Sequence, residues 1–111
     1  MSQIDMHVFN ELKDTAGEDF IGELIDTFID DAPNMIAQIR TGLEKQDADV
    51  FRRAAHSLKS NAATFGATDL AALARELEGF GREANFDIGD RLEKLEVVFQ
   101  QVAGQLGNLK P

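Results

Sequence analysis

Apolar residues return along this chain at three- and four-residue steps almost from end to end, the spacing of one face of an α-helix. Val, Ile and Thr nowhere alternate with polar residues for more than a few positions, so strands are not expected. The pattern predicts five helices. The first is short, from about Asp5 to Thr15, with Asp5 as N-cap, Val8, Phe9 and Leu12 on its apolar face, and Gly17 at its end. The second is long, from about Glu18 to Lys45, and its seam runs through Ile21, Ile25, Phe28, Ala32, Ile36 and Ile39. Pro33 falls in its middle, where a missing N–H and a ring clash favour a kink near Asp30 to Ala32; the apolar phase carries through, which argues against a break. The third runs from about Ala48 to Phe65 behind Asp47 as a cap. The fourth follows Gly66, with Thr68 as N-cap, Leu70, Leu73, Leu77 and Phe80 as its seam, and Gly79 and Gly81 closing it. The fifth runs from about Asp87 to Leu106 along Ile88, Leu92, Leu95, Phe99, Val102 and Leu106, and leaves Gly107 to Pro111 to fray. Short connections favour antiparallel neighbours. The expected fold is all-α, an antiparallel up-down four-helix bundle with a short extra N-terminal helix over one end, built as a single domain across residues 1–111.

Composition removes several functions. The absence of Cys excludes disulfides and thiolate chemistry, and fits a reducing cytoplasm. No run of about 18 apolar residues is present to span a membrane, and Met1-Ser2-Gln3-Ile4-Asp5 lacks the basic and apolar regions of a secretory leader. With 11 basic against 20 acidic residues the net charge is -9, which disfavours nucleic acid and anionic lipid as partners. Trp and Tyr are absent and the 8 Phe fall at helical spacings, so base-stacking platforms are not expected either.

Against that acidic background the third helix is different. At about 100° per residue, Phe51, Ala55, Leu58, Ala62 and Phe65 share one buried stripe, and His56 lies about 140° from its centre, facing water. Arg52, Arg53, Lys59 and Ser60 are its neighbours three and four residues away, with Ala63 one turn further on. No acidic residue occurs from Val50 through Thr68. The spacing therefore predicts a cationic spot that would attract a dianionic phosphoryl group, beside open space left by Ser60 and Ala63, with Lys59 best placed and largely exposed. A metal site lacks ligands, since the other histidine is the distant His7. No Ser or Cys nucleophile with an orienting carboxylate is evident in this stretch. Residue pattern alone leaves open a plain surface histidine on a helical adaptor that binds a partner without chemistry.

Ala55-His56-Ser57-Leu58-Lys59, the small run Ser60 to Ala63, and Gly66-Ala67 resemble the signature of histidine-containing phosphotransfer (HPt) domains, a His-x-x-Lys motif with a Gly ten positions past the His. Leu70 and Leu77-Glu78 match the family's next helix, and Phe28-Ile29-Asp30-Asp31 and Leu43-Glu44-Lys45-Gln46-Asp47 match its long second helix and exit. The family often has Gly directly after the Lys, where this chain has Ser60. The resemblance implies that His56 accepts a phosphoryl group from a receiver-domain aspartate through Nε2 and passes it to another receiver. It implies that Lys59 lies near that group, and that Gly66 leaves clearance beside it. The partners implied are receiver domains of response regulators or hybrid sensor kinases, docking on the histidine helix and its neighbours. The chain would act as a monomer without a cofactor of its own, with Mg2+ on the receiver. It carries no glycine-rich nucleotide loop, so it is expected to be a phosphoryl carrier and not an ATP-using enzyme.

Overall fold

Two aspartates set where the chain enters its first and third helices. Asp5 accepts hydrogen bonds from the N–H groups of His7 and Val8, and Asp47 from that of Val50. α1 (Met6–Ala16) and α3 (Ala48–Thr64) begin directly behind them. The structure, a computed structural model, describes residues 4–111. The remaining helices are α2 (Glu18–Glu44), α4 (Thr68–Arg82) and α5 (Arg91–Leu109), and no strand occurs among the described residues. Met1 to Gln3, part of the stretch read for a leader, lie outside them.

α2 packs on α3 and α5, α4 packs on the same two, and the backbones of the diagonal pairs stay apart, which closes a four-helix ring. Cross-links between helices show the alternation of direction. Phe28, early in α2, stacks 5.1 Å from Phe65 just past the end of α3. Gly81, late in α4, lies against Arg52 near the start of α3. Lys110, beyond α5, pairs with Asp26 near the start of α2 at 2.6 Å. The up-down bundle expected from the seams is the one observed. α1 stands outside the ring against α2 and α3. Its entry is fixed by the Asp5 N–H, which donates to the Gly66 carbonyl at 2.7 Å.

The seams bury as their periods require: Ile21, Ile25, Phe51, Leu58, Leu70, Leu77, Leu95 and Val102 are all fully enclosed, each such side chain contributing about 1.5–3 kcal/mol over an exposed one. α2 runs unbroken through Pro33, as its continuing apolar phase argued. Differences from the sequence reading lie in punctuation elsewhere. Thr68 is the first residue of α4, not its cap; Ala67 holds the cap position without a side-chain bond. α5 starts at Arg91, because Asn85 accepts the Asp87 N–H and Gly89 takes φ +61°, a turn that delays the helix. The tail does not fray at Gly107: the helix continues to Leu109.

Gly79 and Gly81 do not close α4, which passes through both. Gly81 is a packing residue. A Cβ there would sit 2.9 Å from Arg52 Cα and from the Phe51 ring, and one on Gly42 of α2 would sit 2.6 Å from the Phe51 backbone nitrogen. Two glycines on opposite sides thus let α2 and α4 close on the first turns of α3. Gly42→Ala is expected to destabilise the bundle by about 1–2 kcal/mol in urea unfolding, crowding outweighing the helix propensity gained. Gly104→Ala in α5, where a Cβ meets nothing within 4 Å, is expected to stabilise by about 0.5–1 kcal/mol. A stabilising Gly42→Ala would contradict the close approach.

Candidate functional site

His56 sits midway along α3 with its side chain 56 % exposed, on the side away from the buried stripe as the helical phase predicts. What touches it was not expected. Nδ1 lies 2.7 Å from Oε2 of Glu78 on α4, and Lys59 Nζ lies 2.6 Å from the other oxygen, Oε1. Arg82, one turn along α4, approaches Oε2 at 3.3 Å. Glu78 is only 3 % exposed and is the one buried charged residue among the described residues.

Burial alone would push the Glu78 carboxyl up. The hydrogen bonds and charges of Lys59 and His56 outweigh it and hold the carboxyl below its usual range. An ionised carboxylate only accepts, so the proton between it and the ring belongs to His56 Nδ1. In the neutral ring Nε2 then carries the lone pair, and no group among the described residues bonds it. The arrangement favours one tautomer and leaves the unshared pair on the ring nitrogen that is not bonded.

Of the cations expected to make a basic spot around the histidine, Lys59 alone reaches its setting, through Glu78. Arg52 and Arg53 turn back onto Asp49, at 3.0 and 3.2 Å, instead of towards His56. The Arg52 hydrogen bond and then the Arg53 charge hold the Asp49 carboxyl below its usual range. The acid-free window begins one residue after Asp49, which is why the sequence reading left these arginines free. Lys59 is not largely exposed: its side chain is 27 % accessible, laid over the protein towards Glu78.

Ser60 and Ala63 do leave space. With Lys59, Gly66, Thr68 and Arg75 they line a groove of about 470 Å³ between α3 and α4, which Val8 of α1 walls at one side. Gly66 lines that space and has a second task as well. Its φ is +77°, and a Cβ would meet the Asp5 carbonyl oxygen at 2.7 Å and Val8 Cβ at 3.1 Å, so the glycine seats α1. Among the described residues no three His, Cys, Asp or Glu side chains converge as a metal site, and no helix is long and apolar enough to cross a membrane.

The family model named Hpt domain matches residues 23–109. The chain belongs to the Hpt domain family. The crystal structure of histidine-containing phosphotransfer protein B (HptB) from Pseudomonas aeruginosa PAO1 is similar over 97 % of this chain and 94 % of that one, with a TM-score of 0.87 and 25 % identity. No curated protein sequence matches. Membership of the Hpt family gives the chain a phosphotransfer role in two-component signalling, where such domains work with receiver domains.

Glu78 is the residue whose contacts the sequence reading missed, although Leu77-Glu78 was noted as a motif. The signal was available in helical phase: Glu78 lies four residues after Ala74 and three before Gly81, both buried, which puts it at the edge of the stripe facing α3. Because its carboxyl is held low, the stability it contributes is fully present above the unfolded value of about 4.3 and is lost as pH falls through the lower folded value. Glu78→Gln is therefore expected to cost about 1–3 kcal/mol at pH 7. The gap from wild type should narrow below about pH 4. Urea unfolding across pH checks this, and a gap that does not change with pH would mean the carboxylate is not the stabilising form.

Proposed function

We propose that His56 is the phosphoryl acceptor and donor of this Hpt domain, taking the group from the aspartyl phosphate of one receiver and giving it to the aspartate of another. The observation that carries the reading is the 2.7 Å contact between Nδ1 and the buried Glu78 carboxylate, which leaves Nε2 unbonded on a side chain more than half exposed.

The step follows from that tautomer. The Nε2 lone pair forms the new N–P bond in line as the P–O bond to the receiver's carboxyl breaks, and that bonding pair leaves on the aspartate oxygen. No proton need move. The ring keeps its Nδ1 proton and becomes cationic as it loses its pair, and Glu78, already hydrogen-bonded to that proton, offsets the new charge at once. Lys59 starts on the other Glu78 oxygen and is near enough in the chain to donate to a phosphoryl oxygen without leaving the site. Reversal returns the group to a second receiver by the same path. Mg2+ would be held by the receiver's carboxylates, where it would neutralise charge on the phosphoryl oxygens. This chain would supply the nucleophile, its orienting carboxylate, Lys59 and a docking face, act as a monomer in the cytoplasm, and use no ATP.

Incubation with phosphorylated receivers or with phosphoramidate is expected to add one acid-labile, alkali-stable phosphate to the wild type and none to His56→Gln. A wild type that takes no label from either kind of donor would refute the reading. Lys59→Ala is expected to slow transfer by about tenfold or more while the helical circular dichroism spectrum persists. An unchanged rate would remove Lys59 from the reacting group. Glu78→Gln is the sharper probe of mechanism, since its amide can donate to Nδ1 and so favour the opposite tautomer.

A further inference from the structure

The cations of this acidic chain are mostly occupied. Arg52 and Arg53 are on Asp49, Lys59 and Arg82 are on Glu78, and Arg40 is on Glu96. Arg91, Lys94 and Lys110 also have carboxylate partners. Among the described residues, Lys13, Lys45 and Arg75 are the basic side chains without an ion pair or hydrogen bond to a side chain. Lys13 lies in the cleft between α1 and the start of α2, and Lys45 caps the far end of α2. Arg75 alone is beside the candidate site. It is exposed on α4 one turn before Glu78, and it lines the groove that Lys59, Ser60 and Ala63 line from α3.

Electrostatics makes that position informative. A chain of net charge -9 repels an acidic partner at long range, so docking of one needs a local cation that is not already neutralised. The receiver's reacting end is acidic by its chemistry, since a hard divalent cation is held there by carboxylates. Four of the groove's lining residues are small, Ala63, Gly66, Ala71 and Ala72, which leaves room for a chain segment. The Arg75 guanidinium that lines it has its donors free and matches a carboxylate in two parallel hydrogen bonds.

We infer that the α3–α4 groove is a docking subsite for a carboxylate-bearing segment of the receiver, gripped by Arg75. The inference rests on the reading of His56 as the phosphoryl carrier, and it makes Arg75 a positioning residue that acts on the partner and not on the phosphoryl group. Loss of the guanidinium then weakens encounter and residence and leaves the chemistry of the bound complex as it was.

The test uses the full chain and a panel of purified receiver domains with Mg2+, each phosphorylated for transfer assays. Arg75→Ala is expected to raise the receiver concentration giving half-maximal transfer by about three- to tenfold with kcat unchanged. Arg75→Glu should raise it further, and Arg75→Lys should recover only part of the loss, because a point charge cannot form the paired bonds. Lys13→Ala removes the same charge elsewhere and should change nothing, which separates a local contact from net charge. Binding is read by calorimetry in the His56→Gln background, where no chemistry occurs, and Arg75→Ala should weaken it and flatten its salt dependence. Affinity unaltered by Arg75→Ala, or a fall in kcat with KM unchanged, would overturn the inference. A wild type that binds a receiver through Arg75 yet never takes phosphate would instead sink the His56 reading and leave the docking contact standing.

Discussion

A carboxylate removed from water is the constraint on which the site depends. Glu78 is almost wholly enclosed between α3 and α4, and an ion there is tolerated only if its oxygens are bonded by groups of opposite charge or by strong donors. The fold meets that requirement from one direction. His56 and Lys59 come from α3, spaced three residues apart so that one carboxylate can bridge them, and Arg82 closes from α4 itself. The pairing holds the imidazole by Nδ1 while keeping the ring more than half exposed. A histidine held only by packing would have to be buried to be fixed. Holding it through a buried neighbour allows it to be both oriented and accessible.

That arrangement rests in turn on how closely α3 and α4 approach. Gly81 is followed one residue later by Arg82 and lies three residues after Glu78, so the same turn of α4 supplies the close contact and the charge cluster. Gly42 performs the matching task for α2 on the other flank. The first turns of α3 are therefore gripped on two sides, and the histidine one turn further on inherits a fixed position.

Much of the fold was legible because period and burial agree. Seams such as Ile21, Ile25 and Phe28 or Leu92, Leu95 and Phe99 repeat at the helical step, and the structure buries them. Asp5 and Asp47 were readable as caps because short carboxylate side chains reach free N–H groups one turn ahead. Gly81 was legible only as a stop because composition does not distinguish a stop from a close approach; the neighbours across the interface do, here Phe51 and Arg52. His56 was legible from phase and from its motif. Its electrostatic setting was not, because the nearest charge comes from 22 residues away on another helix, and two of the local cations are claimed by an aspartate just outside the window.

α1 lies outside the ring of four helices, yet Val8 forms one wall of the groove beside the candidate site. Its attachment includes the buried Ile4 and Phe9, the half-buried Leu12 and the Asp5 to Gly66 hydrogen bond. An element outside the ring can open at less cost than the global unfolding of the bundle. Groove width and core stability are thus separate quantities in this molecule. A substitution in α1 that moves Val8 changes the width of the groove while the helix that carries His56 stays where it is.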